Sequence, residues 1–155
     1  MSSTFAERHS GHEDLLLSQP AARLNDPDVA ARVLAPLLSG EPVAVFAVAC
    51  LSATHLLLAL HVLSRSDCGS SPSLLDVFVP ARLSSDTTAL LVVQKRPDAN
   101  PTPTEDDAQL TILLAHAADL LDVPLLDHLI IGNTGYYSFR EAGIVGRPDL
   151  LGAHR

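Results

Sequence analysis

The chain has 155 residues, of which 47% are hydrophobic and 4% aromatic, and it carries a formal net charge of -8. This length predicts a single domain with a short tail, and the apolar fraction excludes a wholly disordered chain. The acidic balance argues against a nucleic-acid surface, which needs clustered Lys and Arg to displace phosphate counterions.

Compartment and membrane association follow from the same composition. The apolar stretch from Ala44 to Leu63 is broken by polar residues, so it does not predict a transmembrane helix. The first residues lack a basic segment followed by an apolar one, and we therefore expect no signal peptide and a cytoplasmic protein. Cys50 and Cys68 form no CxxC motif, which favours free thiols in a reducing compartment.

The first half of the chain predicts a tail, a helix and a hairpin. Residues 1–20 are polar and predict a flexible tail, and the domain then covers 21–155. Asp26 and Pro27 begin a helix that Gly40 closes, with an interruption at Pro36. Two apolar, β-capable runs joined by a short polar turn then predict an antiparallel hairpin, at 42–51 and 55–63.

The second half alternates helices and strands. A helix is predicted from about Ser71 to Leu83, and the apolar segment Ala89–Val93 predicts a central strand that carries Gln94 and Arg96 at its end. A further helix is predicted over 105–121, and a final pair of strands over 126–132 and 136–139. The apolar stripe expected on the 105–121 helix consists of Leu110, Leu113, Leu114, Ala117 and Leu121.

The most specific segment of the chain is LLDHLIIG at 125–132, followed by GYYSFREAG at 135–143. These residues resemble the RadC branch of the JAB/MPN (JAMM) metallopeptidase superfamily. Pro101–Thr104 before a helix and Val45–Leu51 as a strand are further matches. The resemblance implies a single α/β domain with a curved mixed β-sheet flanked by α-helices.

The same resemblance implies a zinc motif that this chain has lost. The family pattern is His-x-His, seven residues, Ser, two residues and Asp, and it falls on Gln94, Arg96, Thr104 and Asp107. Imidazole binds zinc well, whereas the arginine guanidinium has no free lone pair and a permanent positive charge. The family's catalytic Glu falls on Ala44, so we expect no catalytic residue, metal ligand set or cofactor here.

The individual residues also have structural interpretations. Thr104 and Asp107 have the spacing of a helix capping box, although Asp107 also suits residual ion binding. Arg96 either pairs with Asp107 or points into solvent. His128, beside a buried strand, is more typical of a hydrogen-bonded core residue than of a ligand.

Four remaining polar residues offer no replacement for the motif positions. His55 and His61 are predicted on one strand face, about 20 Å apart, too far to share a metal. His116 is predicted to be solvated on the outer side of its helix. Glu41 lies three residues before the Glu position, too far to substitute without a shift.

The sequence therefore predicts a RadC-like JAB domain that is catalytically inactive and acts as a binding or scaffold module for an unknown protein partner. One alternative is a zinc-dependent JAMM-type metallopeptidase or isopeptidase-like hydrolase. A second alternative, a DNA-repair accessory protein, depends on the family's name alone.

Overall fold

A computed structural model describes residues 22–40, 42–66, 72–97 and 100–146. The predicted tail, Glu41 and Cys68 lie outside these residues. In chain order the elements are α1 (Pro27–Leu37), β1 (Ala44–Leu51), β2 (Leu57–Ser66), α2 (Leu74–Leu83), β3 (Ala89–Lys95), α3 (Glu105–Leu121), β4 (Leu125–Ile131) and β5 (Tyr136–Ser138).

Five strands form one mixed sheet in the order β2-β1-β3-β4-β5. The β3–β4 pair is parallel and α3 connects its two strands, while the other neighbouring pairs are antiparallel. Both predicted hairpins, β1–β2 and β4–β5, are confirmed. The α/β class and the mixed sheet are likewise confirmed.

Helices cover both faces of the sheet, which explains why β1 and β3 are apolar on both sides. The helix α1 covers one face, where its Leu34 packs with strand residues such as Ala47 and Leu91. Helices α2 and α3 cover the other face, where Phe78 and Leu114 pack with residues such as Phe46 and Val92. The last two residues of β3, Gln94 and Lys95, are polar and only partly buried.

The helix α1 begins as predicted and ends earlier. The Asp26 carboxylate accepts a hydrogen bond from the Asp28 backbone N–H at 3.0 Å, and Pro27 occupies the first helical position. The helix ends at Leu37, one residue after Pro36 and before Gly40, which confirms the predicted interruption at Pro36. Pro36 supplies no N–H to the last turn, which limits the regular part of the helix.

The predicted apolar stripe of α3 is wrong by part of a turn. Leu113 and Leu121 are 54% and 40% exposed. Leu114 faces the sheet as predicted, and Leu110 and Ala117 pack against the same core, but the other buried residues of the helix are Asp107, Thr111 and Ala118. Two polar residues therefore occupy the inner face, where Asp107 bonds to Arg96 after β3 and Thr111 bonds to His128 on β4. These bonds fix the rotation of the helix.

Other expectations divide between confirmation and correction. Cys50 is buried and free, and His116 is exposed, as predicted. His55 is not on a strand, because β2 begins at Leu57 and His55 has a left-handed backbone (φ 65°) in the preceding turn. The prediction that His55 and His61 share a strand face is therefore wrong.

In the described part of the chain, no helix is long and apolar enough to cross a membrane.

Candidate functional site

The four motif positions meet where β3 ends and α3 begins. Gln94 is the penultimate residue of β3, and Arg96 directly follows the strand. The Arg96 backbone N–H donates to the Ile131 carbonyl at 2.8 Å, which continues the parallel pairing with β4 past the last strand residue. Thr104 and Asp107 form the start of α3. The loop between them returns the chain to the end of the strand that it left.

Thr104 and Asp107 form the predicted capping box. The Asp107 backbone N–H donates to Thr104 Oγ1 at 3.1 Å, and the Thr104 backbone N–H donates to Asp107 Oδ2 at 2.7 Å. Both donors would otherwise lack partners at the start of a helix. The carboxylate also faces the positive end of the helix dipole. The prediction of a helix cap is confirmed.

Arg96 makes an ion pair with the capping carboxylate. Its Nη2 lies 2.6 Å from Asp107 Oδ2, and its Nη1 lies 3.4 Å from the Thr102 carbonyl oxygen. The Arg96 and Asp107 side chains are only 21% and 10% exposed. The predicted pair is therefore confirmed, and it is shielded from solvent far more than a surface salt bridge.

The electrostatics of Asp107 reflect two opposing effects. Burial by itself raises the pKa of the Asp107 carboxyl, but hydrogen bonds from Arg96 and from the Thr104 backbone lower it further than burial raises it. The net pKa lies below its ordinary value of 3.8. Asp107 is consequently an anion across the neutral pH range, and its Oδ2 already accepts two donors.

Gln94 reaches a second buried polar group on the same side of the sheet. Its Oε1 lies 2.8 Å from His128 Nε2, and His128 Nδ1 lies 2.6 Å from Thr111 Oγ1. Thr111 is one turn after Asp107 on the inner face of α3, and its hydroxyl also lies 2.7 Å from the Asp107 carbonyl oxygen. Gln94 is thus held in a hydrogen-bonded row that runs from β3 through β4 to α3.

The donors and acceptors of this row assign the proton of His128. An amide oxygen only accepts, so with Gln94 Oε1 toward the ring, His128 Nε2 must carry the hydrogen. The neutral ring then has a bare Nδ1, and the single hydrogen of the Thr111 hydroxyl lies between two acceptors, this nitrogen at 2.6 Å and the Asp107 carbonyl oxygen at 2.7 Å.

The surroundings of His128 favour the neutral ring. It is fully buried, and it stacks on Phe139 with ring centroids 4.8 Å apart while Phe46 lies 6.3 Å away. Burial lowers the pKa of His128 from 6.5 to about 3, with the Arg96 charge lowering it and the Asp107 charge raising it by smaller amounts. The prediction of a hydrogen-bonded core histidine is confirmed.

Ala44, at the family's Glu position, begins β1 beside Arg96. The β1–β3 ladder pairs Val45 with Lys95 at this end, so Ala44 lies one step further, level with Arg96. Alternation along the strand puts it on the same face as Phe46, and hence on the same face as Gln94. A methyl group therefore stands where the resemblance implies a carboxylate, and it has no proton-transfer chemistry.

These side chains do not fit a zinc ion. Gln94 is neutral and bonded to His128, and Arg96 is a fixed cation beside the carboxylate that remains. Only Asp107 is a good ligand type, whereas a zinc site takes three or four such ligands. Among the described residues, no group of three or more His, Cys, Asp or Glu side chains is placed to hold a metal.

Sequence reasoning did not single out two buried polar residues that make hydrogen bonds around His128, namely Thr111 and Asp127. Thr111 connects α3 to His128, and its position four residues after Asp107 is the signal that was available. Asp127 is buried and accepts hydrogen bonds from the His128 backbone at 2.7 Å, the Ser138 hydroxyl at 2.6 Å and the Arg140 backbone at 3.0 Å. It ties β4 to the segment after β5.

Burial raises the pKa of Asp127 above 3.8, against the hydrogen bonds from Ser138 and the two backbone amides, which lower it. Its role is structural, since three donors from the protein surround it.

A separate open cavity of about 290 Å³ lies at the far end of α3, against Val123, Leu125 and Val145. This cavity includes none of the motif residues.

Comparison with known proteins identifies the family. A model of the RadC-like JAB domain matches residues 24–144. The UPF0758 protein NMC1174 of Neisseria meningitidis serogroup C is 32% identical over 127 residues, which is 82% of this chain and 56% of that protein. The UPF0758 protein tlr1707 of Thermosynechococcus vestitus is 34% identical over 122 residues, or 76% and 47% of the two chains.

The fold and the end of β3 define a JAB-type α/β domain, and the chain belongs to the RadC-like JAB domain family. A UPF0758 protein of Thermotoga maritima is similar over a shorter stretch, with 40% identity over 68 residues. The chain spans about half the length of the curated relatives it matches, 56% of the Neisseria protein and 47% of the Thermosynechococcus protein.

Proposed function

We propose that this protein is a RadC-like JAB domain that has replaced hydrolytic zinc chemistry by a fixed ion pair and that acts as a non-catalytic binding module. The observation that carries the proposal is the 2.6 Å contact between Arg96 Nη2 and Asp107 Oδ2. It joins two positions that the family pattern assigns to metal ligands.

The ion pair supplies the charge balance that a metal would otherwise supply. A carboxylate at a helix start that is only 10% exposed benefits from a nearby cation, and the guanidinium provides one permanently. A zinc ion approaching Asp107 would have to displace Arg96 from Oδ2 and would be repelled by its charge.

The two other components of a zinc hydrolase are also missing. Such an enzyme lowers the pKa of a metal-bound water and needs a general base to take its proton. Gln94 offers no imidazole, and Ala44 offers no carboxylate on the face of the sheet where Gln94 lies. Three separate replacements, at 44, 94 and 96, therefore oppose the metallopeptidase alternative.

The remaining alternatives receive less support. A DNA-repair accessory role would be expected to involve a basic surface, and the net charge of -8 opposes it. A binding or scaffold role needs a stable fold without catalytic groups. The capping box, the ion pair and the buried row from Gln94 to Thr111 provide that stability.

Elemental analysis of zinc tests the proposal. The purified chain is dialysed against micromolar zinc, then against zinc-free buffer, and the metal content per protein is measured together with that of an Asp107→Ala variant. We expect both proteins to retain the same negligible zinc. Stoichiometric zinc in the parent that disappears in Asp107→Ala would overturn the proposal.

A further inference from the structure

The helix α2 has two apolar sides, of which only one is used by the domain. Val77, Phe78 and Ala81 are buried against the sheet. On the opposite side, Leu75 and Leu83 are 74% and 82% exposed, and Val79 between them is 40% exposed. Contiguous exposed apolar surface is a feature of interaction sites.

The stripe is regular along the helix. Its three members are spaced four residues apart, and each step of four turns the helix by about 40° beyond a full circle. Leu75, Val79 and Leu83 therefore lie within an arc of about 80°, on the side away from the sheet. We call these three residues the outer stripe of α2.

The outer stripe is symmetric about Val79 in both shape and charge. Leu75 and Leu83 are four residues before and after Val79. Asp76 and Arg82 are three residues before and after it, and they flank the stripe on its two sides. Both of these charged residues are exposed. A surface whose two halves carry opposite charges about a central apolar residue is complementary to itself when it is turned end for end.

We propose that the outer stripe of α2 is the contact surface for a second copy of this chain, with the two α2 helices packed antiparallel about a two-fold axis that passes beside Val79. In this arrangement, Val79 meets the partner's Val79. Leu75 lies at the level of the partner's Leu83, and Asp76 at the level of the partner's Arg82. This inference is independent of the proposed function, since it uses no residue of the candidate site.

The charges select this arrangement over a parallel one. A parallel two-fold pairing would bring Asp76 beside the partner's Asp76 and Arg82 beside the partner's Arg82, which is repulsive at both ends. The antiparallel pairing instead brings opposite charges to the same level at both ends of the stripe, across helices packed at the usual distance of about 8–10 Å. Because the helix is only 10 residues long, the interface is small and the dimer is expected to be weak and concentration-dependent.

Sedimentation equilibrium of the full chain over a dilution series tests the dimer. We expect the parent to be dimeric at high concentration and Val79→Asp to raise Kd by a factor of about 30 or more, since a charge at the centre of the contact removes its apolar core. Leu120→Asp is the matched control, because Leu120 on α3 is 87% exposed and lies outside the stripe. It should leave Kd unchanged.

A charge swap tests the antiparallel direction. Arg82→Asp places two carboxylates at the same level at both ends and should raise Kd several-fold, as should Asp76→Arg. The combined Asp76→Arg and Arg82→Asp variant restores opposite charges and should return Kd to near the parent value. Circular dichroism of each variant reports that the fold is retained.

Three results would overturn the inference. One is a parent that stays monomeric across the series, which would mean that another partner or the chain's own residues outside the described ranges cover the stripe. Another is a dimer whose Kd is indifferent to Val79→Asp. The third is a combined charge swap that fails to restore the dimer weakened by the single changes.

Discussion

Arg96 donates a hydrogen bond to the carboxylate of Asp107, 11 positions later in the sequence, and the same carboxylate oxygen also caps a helix. The Arg96 guanidinium and the Thr104 amide both donate to Asp107 Oδ2, at 2.6 Å and 2.7 Å. One oxygen therefore holds the end of β3, the loop after it and the start of α3 together. We therefore expect the stability of the fold to depend on this carboxylate.

Removing the cation should expose this dependence. Arg96→Gln leaves a largely buried carboxylate without its counter-ion, and we expect the free energy of unfolding to fall by about 2 kcal/mol. Urea denaturation at neutral pH measures the change. Arg32→Gln is the matched control, because the Arg32–Asp28 pair is 71% and 58% exposed and should contribute less than about 0.5 kcal/mol.

A double-mutant cycle separates the pair from its parts. Asp107→Asn combined with Arg96→Gln should lose less stability than the sum of the two single changes, since each change removes the same interaction. Strict additivity would mean that the two side chains do not interact in solution.

The helix cap makes a prediction of its own. Thr104→Ala removes the oxygen that accepts from the Asp107 N–H and should cost about 0.5–2 kcal/mol of unfolding free energy. Thr104→Ser keeps the hydroxyl and should retain most of the stability. Equal denaturation midpoints for Thr104→Ala and the parent would show that the cap contributes nothing.

His128 should remain neutral far below the ordinary range for histidine. Its pKa of about 3 in the folded chain lies below 6.5, so the unfolded chain takes up a proton that the folded chain does not. The contribution of neutral His128 to the free energy of unfolding is therefore fully present above pH 6.5. It declines as the pH falls toward about 3, by at most about 1.4 kcal/mol per pH unit.

Nitrogen chemical shifts of the His128 ring measure this directly and separate it from the carboxylates. Asp107, with its lowered pKa, loses its contribution only as the pH falls below 3.8, and Asp127, with its raised pKa, acts in the opposite direction. We expect the ring to show a protonated Nε2 and a bare Nδ1 from neutral pH down to about 4. Titration of the ring near pH 6.5 would contradict the buried row.

The sequence allowed prediction of those features that depend on local spacing. The capping box at Thr104, the strand that ends near Gln94 and both hairpins follow from residue types at fixed offsets. The pairing of Arg96 with Asp107 was predictable because the family spacing brings both positions to one point.

The features that were missed depend on contacts between distant segments. The rotation of α3 follows from Thr111 bonding to His128, 17 positions later, and no apolar periodicity encodes that contact. Leu113 was expected inside because it is apolar, yet the polar Asp107 and Thr111 hold the inner face. His55 has a left-handed backbone that is uncommon for a non-glycine residue, so its turn was read as strand.

The central claim is that a fixed cation has taken the place of a metal between β3 and α3. A variant that restores the family pattern tests this claim. Gln94→His and Arg96→His return two imidazoles, and Ala44→Glu returns the carboxylate. A control variant with Gln94→His, Arg96→Lys and Ala44→Glu keeps a cation at position 96. Binding should return before turnover, because residues around the ligands also tune a metal site.

Titration calorimetry with zinc on the parent, the restored variant and the lysine control is the most direct measurement. We predict saturable zinc binding by the restored variant alone, and negligible heat for the parent and the lysine control. Equal, negligible binding by the parent and the restored variant would contradict the assignment of these positions, and zinc binding by the parent would contradict the claim itself.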